Sequence, residues 1–247
     1  MNSFENHWNK NKSEQIPESK KKVAFQFLEP LINNSKTKKP LLILDAGCGD
    51  GVHLDVLLDN PIYAKAKLTI GLDMAWSALF SSKQRHQSDY AYVQGDVGEL
   101  PFESNTFDYV YSFGVLTYTD IPFKSFCELC RVAKPGGKIG IWVYPKKKGI
   151  VGALFSTVRK LCSIFGPQGI KLVADVIVPL LGILPTRSNI SLKNATWKQC
   201  REIVLVNIAP KQLVFPTESE VEDWFIKNNI SIISKDNKAP ITLWGEK

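Results

Sequence analysis

The chain has 247 residues, of which 44% are hydrophobic and 22% charged, with a formal net charge of +7. This composition predicts one large folded domain, or a domain and a smaller unit, and excludes a largely disordered chain. The polar start, MNSFENHWNKNKSEQ, predicts no signal peptide, and no stretch has the roughly 18 uninterrupted apolar residues of a membrane-spanning helix. We therefore expect a cytoplasmic protein.

The five cysteines are odd in number and irregularly spaced, which suits a reducing compartment better than a disulfide framework. Cys127 and Cys130 have CxxC spacing, but the second pair of ligands that a zinc site needs is missing. With Phe123 and Phe126 they fall on one face of a predicted helix. We expect both cysteines in the hydrophobic core and no metal site.

Charge is distributed unevenly along the chain. Residues 1–40 carry a net charge of +4, residues 41–145 of −4, residues 146–211 of +9 and residues 212–247 of −2. An anionic partner is therefore expected to meet residues 146–211, and a phosphate-rich ligand is disfavoured in the acidic segment.

Apolar runs and helical periodicity alternate along the acidic segment. A buried strand, LLILD (41–45), is followed by a glycine loop and a helix that ends near Pro61. The further elements are predicted as strand 67–73, helix 74–87, strand 91–96, strand 107–115, helix 123–133 and, after the turn KPGG, strand 138–145. This alternation predicts an α/β fold with a doubly wound, mostly parallel sheet.

The alternation stops after Pro145 and returns near Thr217, which with Glu220 has the spacing of a capping box and opens a helix. Two short strands follow, at 230–236 and 241–247. Their connection is so short that they must pair antiparallel, and they complete a predicted sheet of seven strands.

Ligands of open parallel sheets bind at the carboxyl ends of the strands. The residues predicted there are Asp45, Gly47, Gly49 and Gly51 after the first strand, Asp73 after the second, Gly95 and Asp96 at the third, and Ser112, Phe113 and Gly114 at the fourth. Glycine permits positive φ and a close approach of ligand to backbone, and the following helix N-terminus offers free N–H groups.

Three ligand classes compete for the glycine loop: a dinucleotide, a phosphate, and a nucleoside without phosphate. Asp45, at the base of the loop, would repel a pyrophosphate but suit an ammonium group. An acid after the second strand can accept from both ribose hydroxyls, and one after the third can accept from an exocyclic amine such as adenine N6. A ligand with a ribose, an adenine and a cationic end is favoured.

S-adenosyl-L-methionine has these groups, and the sequence resembles the class I, Rossmann-like methyltransferases that use it. The matching motifs, in order, are LDAGCGDG, GLDMAWSAL, VQGDVGELPFESNTFDYVYSFGVLTYTD and RVAKPGGKIGIWVYP, which cover about residues 41–145. Quinone-biosynthesis C-methyltransferases and small-molecule O-methyltransferases form the subgroup that it resembles. The loop alone is a weak signal, whereas the ordered set is specific.

The resemblance implies a set of cofactor-binding residues. They are Asp45, Gly47, Cys48, Gly49 and Gly51 at the methionine end, Asp73 at the ribose, Met74, Gly95, Asp96 and Val97 at the adenine, and Ser112, Phe113, Gly114 and Val115 along the methionine side. The plainer alternatives are that the glycines only make a tight turn and that Asp73 and Asp96 cap turns or helices. Asp108 matches the family's strand-four acid and is expected to be structural in the main.

His53, Tyr118 and Tyr144 are the candidates for catalysis or substrate contact. His53 follows the loop, and its plainer interpretation is a solvated helix position. Tyr118 stands where many relatives carry a histidine near the acceptor, so the sequence departs from a histidine-base mechanism.

The resemblance also implies four segments. They are an N-terminal helical arm covering the active site (1–40), the Rossmann-like core that binds the cofactor (41–145), a basic and apolar helical cap or lid inserted after the fifth strand (146–211), and the completion of the core sheet (212–247). Residues 149–185 are a candidate for peripheral membrane contact, and the alternative is that their lysines form a solvated face.

The implied reaction is in-line transfer of the sulfonium methyl to an oxygen, in preference to carbon or nitrogen, of a small-molecule acceptor. The acceptor would be partly apolar, and anionic or linked to a lipid or carrier. Nucleic acid is not an expected partner, because no Asn/Asp-Pro-Pro-Tyr/Phe motif and no Pro-Cys nucleophile follows the fourth strand. Two other classes stay open: a catalytically idle protein that binds the cofactor, and a nicotinamide-dependent oxidoreductase, whose loop would normally be GxGxxG.

Overall fold

The structure is a computed structural model, in which the described residues are 18–33, 41–58, 66–85, 90–146, 157, 213–236 and 240–247. The chain divides into two units, Met1–Lys146 with Leu213–Lys247, and Lys147–Gln212. Almost all described residues belong to the first unit. The predicted cap and its membrane-contact segment lie outside the described residues, as does much of the arm, and the four-segment organisation stays a prediction.

Five α-helices and seven strands are described. In chain order they are α1 (Glu18–Asn33), β1 (Leu41–Ala46), α2 (Val52–Leu58), β2 (Ala66–Asp73), α3 (Trp76–Arg85), β3 (Tyr90–Gln94), β4 (Phe107–Phe113), a 3₁₀ helix (Leu116–Tyr118), α4 (Pro122–Val132), β5 (Ala133–Val143), α5 (Glu218–Lys227), β6 (Ser231–Asp236) and β7 (Ile241–Glu246). No described helix is long and apolar enough to cross a membrane.

The strands form one sheet in the order β3-β2-β1-β4-β5-β7-β6. The first five strands pair in parallel, whereas β7 pairs antiparallel with both β5 and β6. The predicted seven-stranded, mostly parallel sheet with a terminal antiparallel pair is therefore confirmed. Strand order reverses between β1 and β4, which places the carboxyl ends of these strands at the switch point where ligands of such sheets bind.

Each face of the sheet packs against its own helices, because successive strand residues point to opposite sides. Leu44 and Val110 face the cluster that includes Phe126 of α4 and Phe225 of α5. Their strand neighbours point to the other cluster, which contains residues of α1 and α2. The members used below are Phe27, Tyr111, Trp142 and Trp244.

Helix α5 begins as its sequence predicts. The Glu220 amide donates to the Thr217 hydroxyl at 3.3 Å, and the Thr217 amide donates to the Glu220 carboxylate at 2.6 Å. These reciprocal bonds satisfy two backbone donors that the helix itself leaves without partners. The predicted capping box is confirmed.

Strand β5 begins at Ala133, five residues before its predicted start, so the KPGG segment lies within the strand. Gly136, at φ +74°, donates its amide to the carbonyl of Lys247 at 2.7 Å, and Gly137 accepts from the Lys247 amide at 3.0 Å. Pairing with the last residue of the chain thus holds the segment extended. No local pattern could indicate this contact.

The CxxC helix α4 is only partly buried on its predicted face. Phe126 and Cys130 are in the core, but Cys127 is half-buried and Phe123 is exposed, so the predicted burial of both cysteines is corrected. Phe123 lies in the first turn, where it packs at 6.4 Å from the Trp224 ring and carries Lys227 over its face. The buried stripe is narrower than the periodicity indicated.

Helix α1 is anchored to the sheet by one buried hydrogen bond. The Trp244 indole N–H donates to the Phe27 carbonyl at 2.8 Å, and both side chains are in the core. We expect Trp244→Phe to lower the free energy of unfolding by about 2–4 kcal/mol, because the carbonyl loses its partner and a cavity remains. Urea unfolding measures it, and Trp76→Phe is the matched control: Trp76 is 59% exposed, and its change is expected within about 0.5 kcal/mol. Equal effects of the two changes would contradict the anchor.

Candidate active site

The glycine loop between β1 and α2 is built on three positive φ angles, +89° at Gly47, +53° at Gly49 and +85° at Gly51. The amides of Gly47 and Cys48 both donate to the Leu72 carbonyl, at 2.7 and 2.9 Å, so the loop is held to the end of β2. A Cβ on Gly47 would overlap the side chain of Val115. The loop therefore has the close packing that only glycine allows.

Asp73, the last residue of β2, ties this loop to the start of α3. Its Oδ2 accepts from the Gly49 amide at 2.9 Å, and its Oδ1 accepts from the Ala75 amide at 2.9 Å. The second bond is that of a turn cap, so the plainer interpretation has a geometric basis. A carboxylate oxygen can accept more than one hydrogen bond. Met74, which follows, is 44% exposed.

Asp96 lies in the turn after β3, which ends at Gln94, two residues before its predicted end. Its Oδ1 accepts from the Gly98 amide at 2.7 Å, and Val97 beside it is buried. The Gly95 amide donates to the Asp73 carbonyl at 3.1 Å and joins this turn to the end of β2. The two acids that the sequence assigned to one nucleoside thus lie on neighbouring strand ends.

The end of β4, two residues before its predicted end, faces both β1 and β5. Ser112 is buried, and its hydroxyl donates to the Ala46 carbonyl at 2.8 Å, so this side chain ties β4 to β1. Gly114, at φ +72°, donates its amide to the Trp142 carbonyl at 2.7 Å. Phe113 stacks on the Trp142 ring at 4.3 Å and 17°.

Asp45, at the base of the loop, is completely buried, and neither carboxylate oxygen has a hydrogen-bond partner among the described residues. Burial raises the pKa of this carboxyl well above its ordinary value; the Tyr111 hydroxyl opposes that rise and the charge of Asp73 adds to it. Nδ1 of His53 lies 4.0 Å from Asp45 Oδ2, too far for a hydrogen bond. The site therefore contains an acid whose charge no described neighbour compensates.

His53 is 8% exposed, so its interpretation as a solvated helix position is wrong. Its ring packs 4.3 Å from Phe113 and 6.3 Å from Phe27. Burial lowers the pKa of this imidazole to about 3, so His53 is neutral across the physiological pH range. A neutral imidazole with so low a pKa is a weak general base.

Tyr118 and Tyr144 lie edge to face at 6.5 Å, and Tyr144 meets Trp142 in the same way at 4.6 Å. Burial raises the pKa of both phenols. Together with Phe27, His53 and Phe113, these rings form a continuous group that we call the aromatic wall. The wall consists of Phe27, His53, Phe113, Tyr118, Trp142 and Tyr144.

Sequence reasoning missed Phe27, Tyr111 and Trp142. The alternation of Tyr109, Tyr111 and Phe113 along β4 could have indicated an aromatic face, because strand residues two apart point the same way. Phe27 carried no such signal, since it lies in a different helix and reaches the wall only through packing.

Asp108 has the structural role expected of it. Its Oδ2 accepts from the Leu42 amide at 2.8 Å, and both oxygens lie 2.9 Å from Lys134 Nζ. These contacts join β4 to β1 and β5 at the opposite end of the strands from the glycine loop.

A sequence profile described as a methyltransferase domain matches residues 44–141. The match begins in β1, includes the glycine loop, Asp73 and Asp96, and ends in β5. Residues 44–141 are therefore similar to a methyltransferase domain. The resemblance to the class I, Rossmann-like methyltransferases that the ordered motifs indicated is therefore confirmed.

Two relatives of the chain are named as different methyltransferases. Over 111 residues the chain is 34% identical to malonyl-[acyl-carrier protein] O-methyltransferase of Buchnera aphidicola, covering 44% of this chain and 42% of the relative. Over 119 residues it is 35% identical to 2-phytyl-1,4-naphtoquinone methyltransferase of Nostoc punctiforme, covering 46% and 50%. The chain thus spans about half the length of these relatives.

A solved structure has the same fold. Magnesium protoporphyrin IX methyltransferase from Synechocystis, solved with bound SAH, superposes with a TM-score of 0.56 at 14% sequence identity. The superposition covers 98% of this chain and 93% of that one. At this identity the likeness concerns the fold alone.

Proposed function

We propose that the protein is an S-adenosyl-L-methionine-dependent methyltransferase that methylates an oxygen of a small acidic acceptor. The observation that carries the proposal is Asp45, a buried carboxylate without a described partner at the base of a glycine loop. An ammonium group in the loop would compensate its charge. The match of residues 44–141 to a methyltransferase domain supports the same ligand.

The donor set fits this cofactor. Asp45 and the loop would hold the amino-acid end, and the Asp73 carboxylate at the end of β2 would accept from the ribose hydroxyls. Met74 offers an exposed apolar surface to the adenine, and Asp96 would accept from its amine. When bound, the cofactor supplies a methyl group on an electron-poor sulfur, so the chain needs mainly to orient the acceptor and exclude water.

The acceptor atom follows from the absence of a suitable base in the part of the chain that the structure describes. His53 is neutral with a pKa of about 3, and burial raises the pKa of Tyr118 and Tyr144. None of the three candidates can take a proton from a weakly acidic group at neutral pH. An acceptor that is already ionised, such as a carboxylate or an acidic hydroxyl, needs no base, and this favours oxygen over carbon or nitrogen.

The partly exposed rings of the aromatic wall, Phe113, Tyr118 and Tyr144, and the net charge of residues 146–211 support a flat or partly apolar acceptor with an anionic or carrier-linked end. The relatives' names agree: one acts on a malonyl group on a carrier protein, and another on a naphthoquinone. Membrane contact through residues 149–185 and a cytoplasmic location belong to the same proposal. Vesicle co-sedimentation with and without anionic lipid tests the membrane part, and binding that does not depend on anionic lipid would contradict it.

Binding and methyl transfer are tested separately. Equilibrium dialysis with labelled cofactor should show binding by the full chain, at least about 30-fold weaker in Asp96→Ala, because the removed carboxylate leaves the amine unpaired. Glu103→Ala is the matched control, since Glu103 is exposed in the same connection between β3 and β4. Unchanged affinity of Asp96→Ala would contradict the cofactor assignment.

Transfer is then measured with malonyl-[acyl-carrier protein], a naphthoquinol and an amine of similar size. We expect the labelled methyl on an oxygen of one of the two acidic acceptors, identified by mass spectrometry. Methylation of the amine alone would contradict the acceptor assignment. Binding without transfer to any metabolite pool would favour the catalytically idle alternative.

A further inference from the structure

Three polar side chains meet in the core behind the glycine loop. Asp45 comes from β1, His53 from α2 and Tyr111 from β4, and all three are buried. Beside the two Asp45 oxygens, His53 Nε2 and the Tyr111 hydroxyl also have no hydrogen-bond partner among the described residues. Buried polar atoms are nearly always satisfied, so four such atoms at one place indicate that something else completes the group.

Among the described residues, the groups that act electrostatically on this cluster are acidic or neutral. Asp73 on β2 and Cys48 in the loop act electrostatically on Asp45 or its neighbours, and Tyr90 on β3 acts on Tyr111. The His53 ring also packs against the rings of Phe27 and Phe113. No lysine or arginine of the described residues pairs with Asp45, so an ionised Asp45 would be a buried charge without compensation.

Of the two groups, Asp45 rather than His53 is therefore favoured to hold a proton when the site is empty. Burial and the charge of Asp73 raise the pKa of Asp45, whereas burial lowers the pKa of His53 to about 3, so the imidazole does not take the proton instead. Burial also raises the pKa of Tyr111, whose hydroxyl keeps its hydrogen and can donate it to a carboxylate.

We propose that Asp45 holds a proton in the empty site and releases it to solvent when the cationic end of the cofactor binds, with His53 and Tyr111 as positioning residues. The inference rests on the proposed function, because it takes the ligand's ammonium group as the charge that replaces the proton. The O–H bond of the Asp45 carboxyl breaks, its proton passes to the buffer, and the carboxylate remains opposite the ammonium group. One positive charge enters as one leaves, so the buried charge stays balanced.

The sign of the linkage follows. The bound protein carries fewer protons than the empty protein, so affinity rises with pH and falls by up to about tenfold for each pH unit below the midpoint. The Asp45→Asn protein cannot release the proton, and its affinity is expected to be weak and independent of pH in this range.

Titration calorimetry with S-adenosylhomocysteine counts the protons when it is repeated in two buffers of different ionisation enthalpy. At about pH 6 the ligand's α-amino group, whose ordinary pKa is about 8, is already charged, so any proton released comes from the protein. We expect about 0.5–1 proton released per ligand bound by the wild-type chain. Asp223→Asn, on the exposed face of α5, should behave as wild type. Asp45→Asn should release none.

The positioning residues have their own test. Without the Tyr111 hydroxyl the carboxylate is less stable, so Tyr111→Phe should move the midpoint of the affinity–pH curve upward by about 0.5–1 pH unit. His53→Phe, which removes the polar ring beside Asp45, should shift the midpoint in the same direction, and His53→Gln, which keeps a polar group there, should restore it. A uniform loss of affinity at every pH would mean that the two residues are merely structural.

Failure of the proposed function and failure of the proton exchange give different experimental results. If equilibrium dialysis finds no binding of cofactor or product at any pH, the proposed function fails. If the wild-type chain binds but releases fewer than about 0.2 protons near pH 6, the proton exchange is overturned while the proposed function stands.

Discussion

Asp45→Asn is expected to weaken S-adenosylhomocysteine binding about 100-fold at pH 8 while raising the melting temperature of the empty protein. Affinity falls because the ligand's ammonium group loses its buried counter-charge. Burial raises the pKa of the Asp45 carboxyl, so ionisation of this group destabilises the folded state relative to the unfolded state. Asparagine carries no charge and removes this cost, so the melting temperature rises. The protonated Asp45 carboxyl stabilises the fold fully below the ordinary pKa of aspartate, and this stabilisation is lost as pH rises through the raised pKa.

The stability gain should therefore depend on pH. Thermal unfolding of the dialysed protein should give a gain of about 2–5 °C at pH 8 and a smaller one at pH 5, where the wild-type carboxyl retains more of its proton. Asp223→Asn is the control, because Asp223 is exposed on α5 and far along the chain from the loop. A lower melting temperature for Asp45→Asn at pH 8 would contradict the account of Asp45 as an uncompensated acid.

Gly47→Ala should abolish cofactor binding and lower the free energy of unfolding by about 2–4 kcal/mol. The new Cβ would sit at φ +89° and overlap the Val115 side chain. Positive φ alone costs about 1–2 kcal/mol for a residue with a Cβ, and overpacking in a close-packed site adds about 1–3 kcal/mol. Denaturant unfolding and equilibrium dialysis measure the two effects.

Gly136→Ala is a matched control for the cost of a side chain at positive φ. Gly136 has a similar φ of +74°, but a Cβ there would meet nothing within 4 Å, so only the conformational cost of about 1–2 kcal/mol is expected. The difference between the two variants isolates the overlap with Val115. Adding Val115→Ala to Gly47→Ala should recover part of that difference but not the cost of φ, because the Val115 Cβ, 2.9 Å from the new Cβ, remains. Equal effects of Gly47→Ala and Gly136→Ala would show that the loop tolerates a side chain.

Local patterns in the sequence predicted most of the central sheet, because residues on both-face-buried strands are almost continuously apolar and the connecting helices carry their own periodicity and caps. Strand β1, the acids at the ends of β2 and β3, and the Thr217 capping box all follow from such short patterns. Errors of a few residues lie where distant pairing extends an element, as at Ala133, or where a turn begins early, as at Gly95.

The residues of the candidate site could likewise be predicted only in part from the sequence. Asp45, Asp73 and Asp96 stand out because each lies at the end of a predicted strand. Their actual partners could not be predicted: Asp73 accepts from Gly49 and Ala75, and Asp45 accepts from no described residue. A sequence shows that a carboxylate is present, whereas its hydrogen bonds depend on where the neighbouring chain segments pack.

By itself, then, the sequence determined the α/β class, the order of the core elements and the position of the glycine loop, all of which depend on residues close together in the chain. Only the tertiary structure decided that His53 is buried, that Tyr111 faces Asp45, and that Phe27 packs against the aromatic wall while its carbonyl accepts a hydrogen bond from Trp244, 217 residues away. The physical reason is that burial and pKa depend on the packing of helices and strands from distant parts of the chain, which no local pattern encodes.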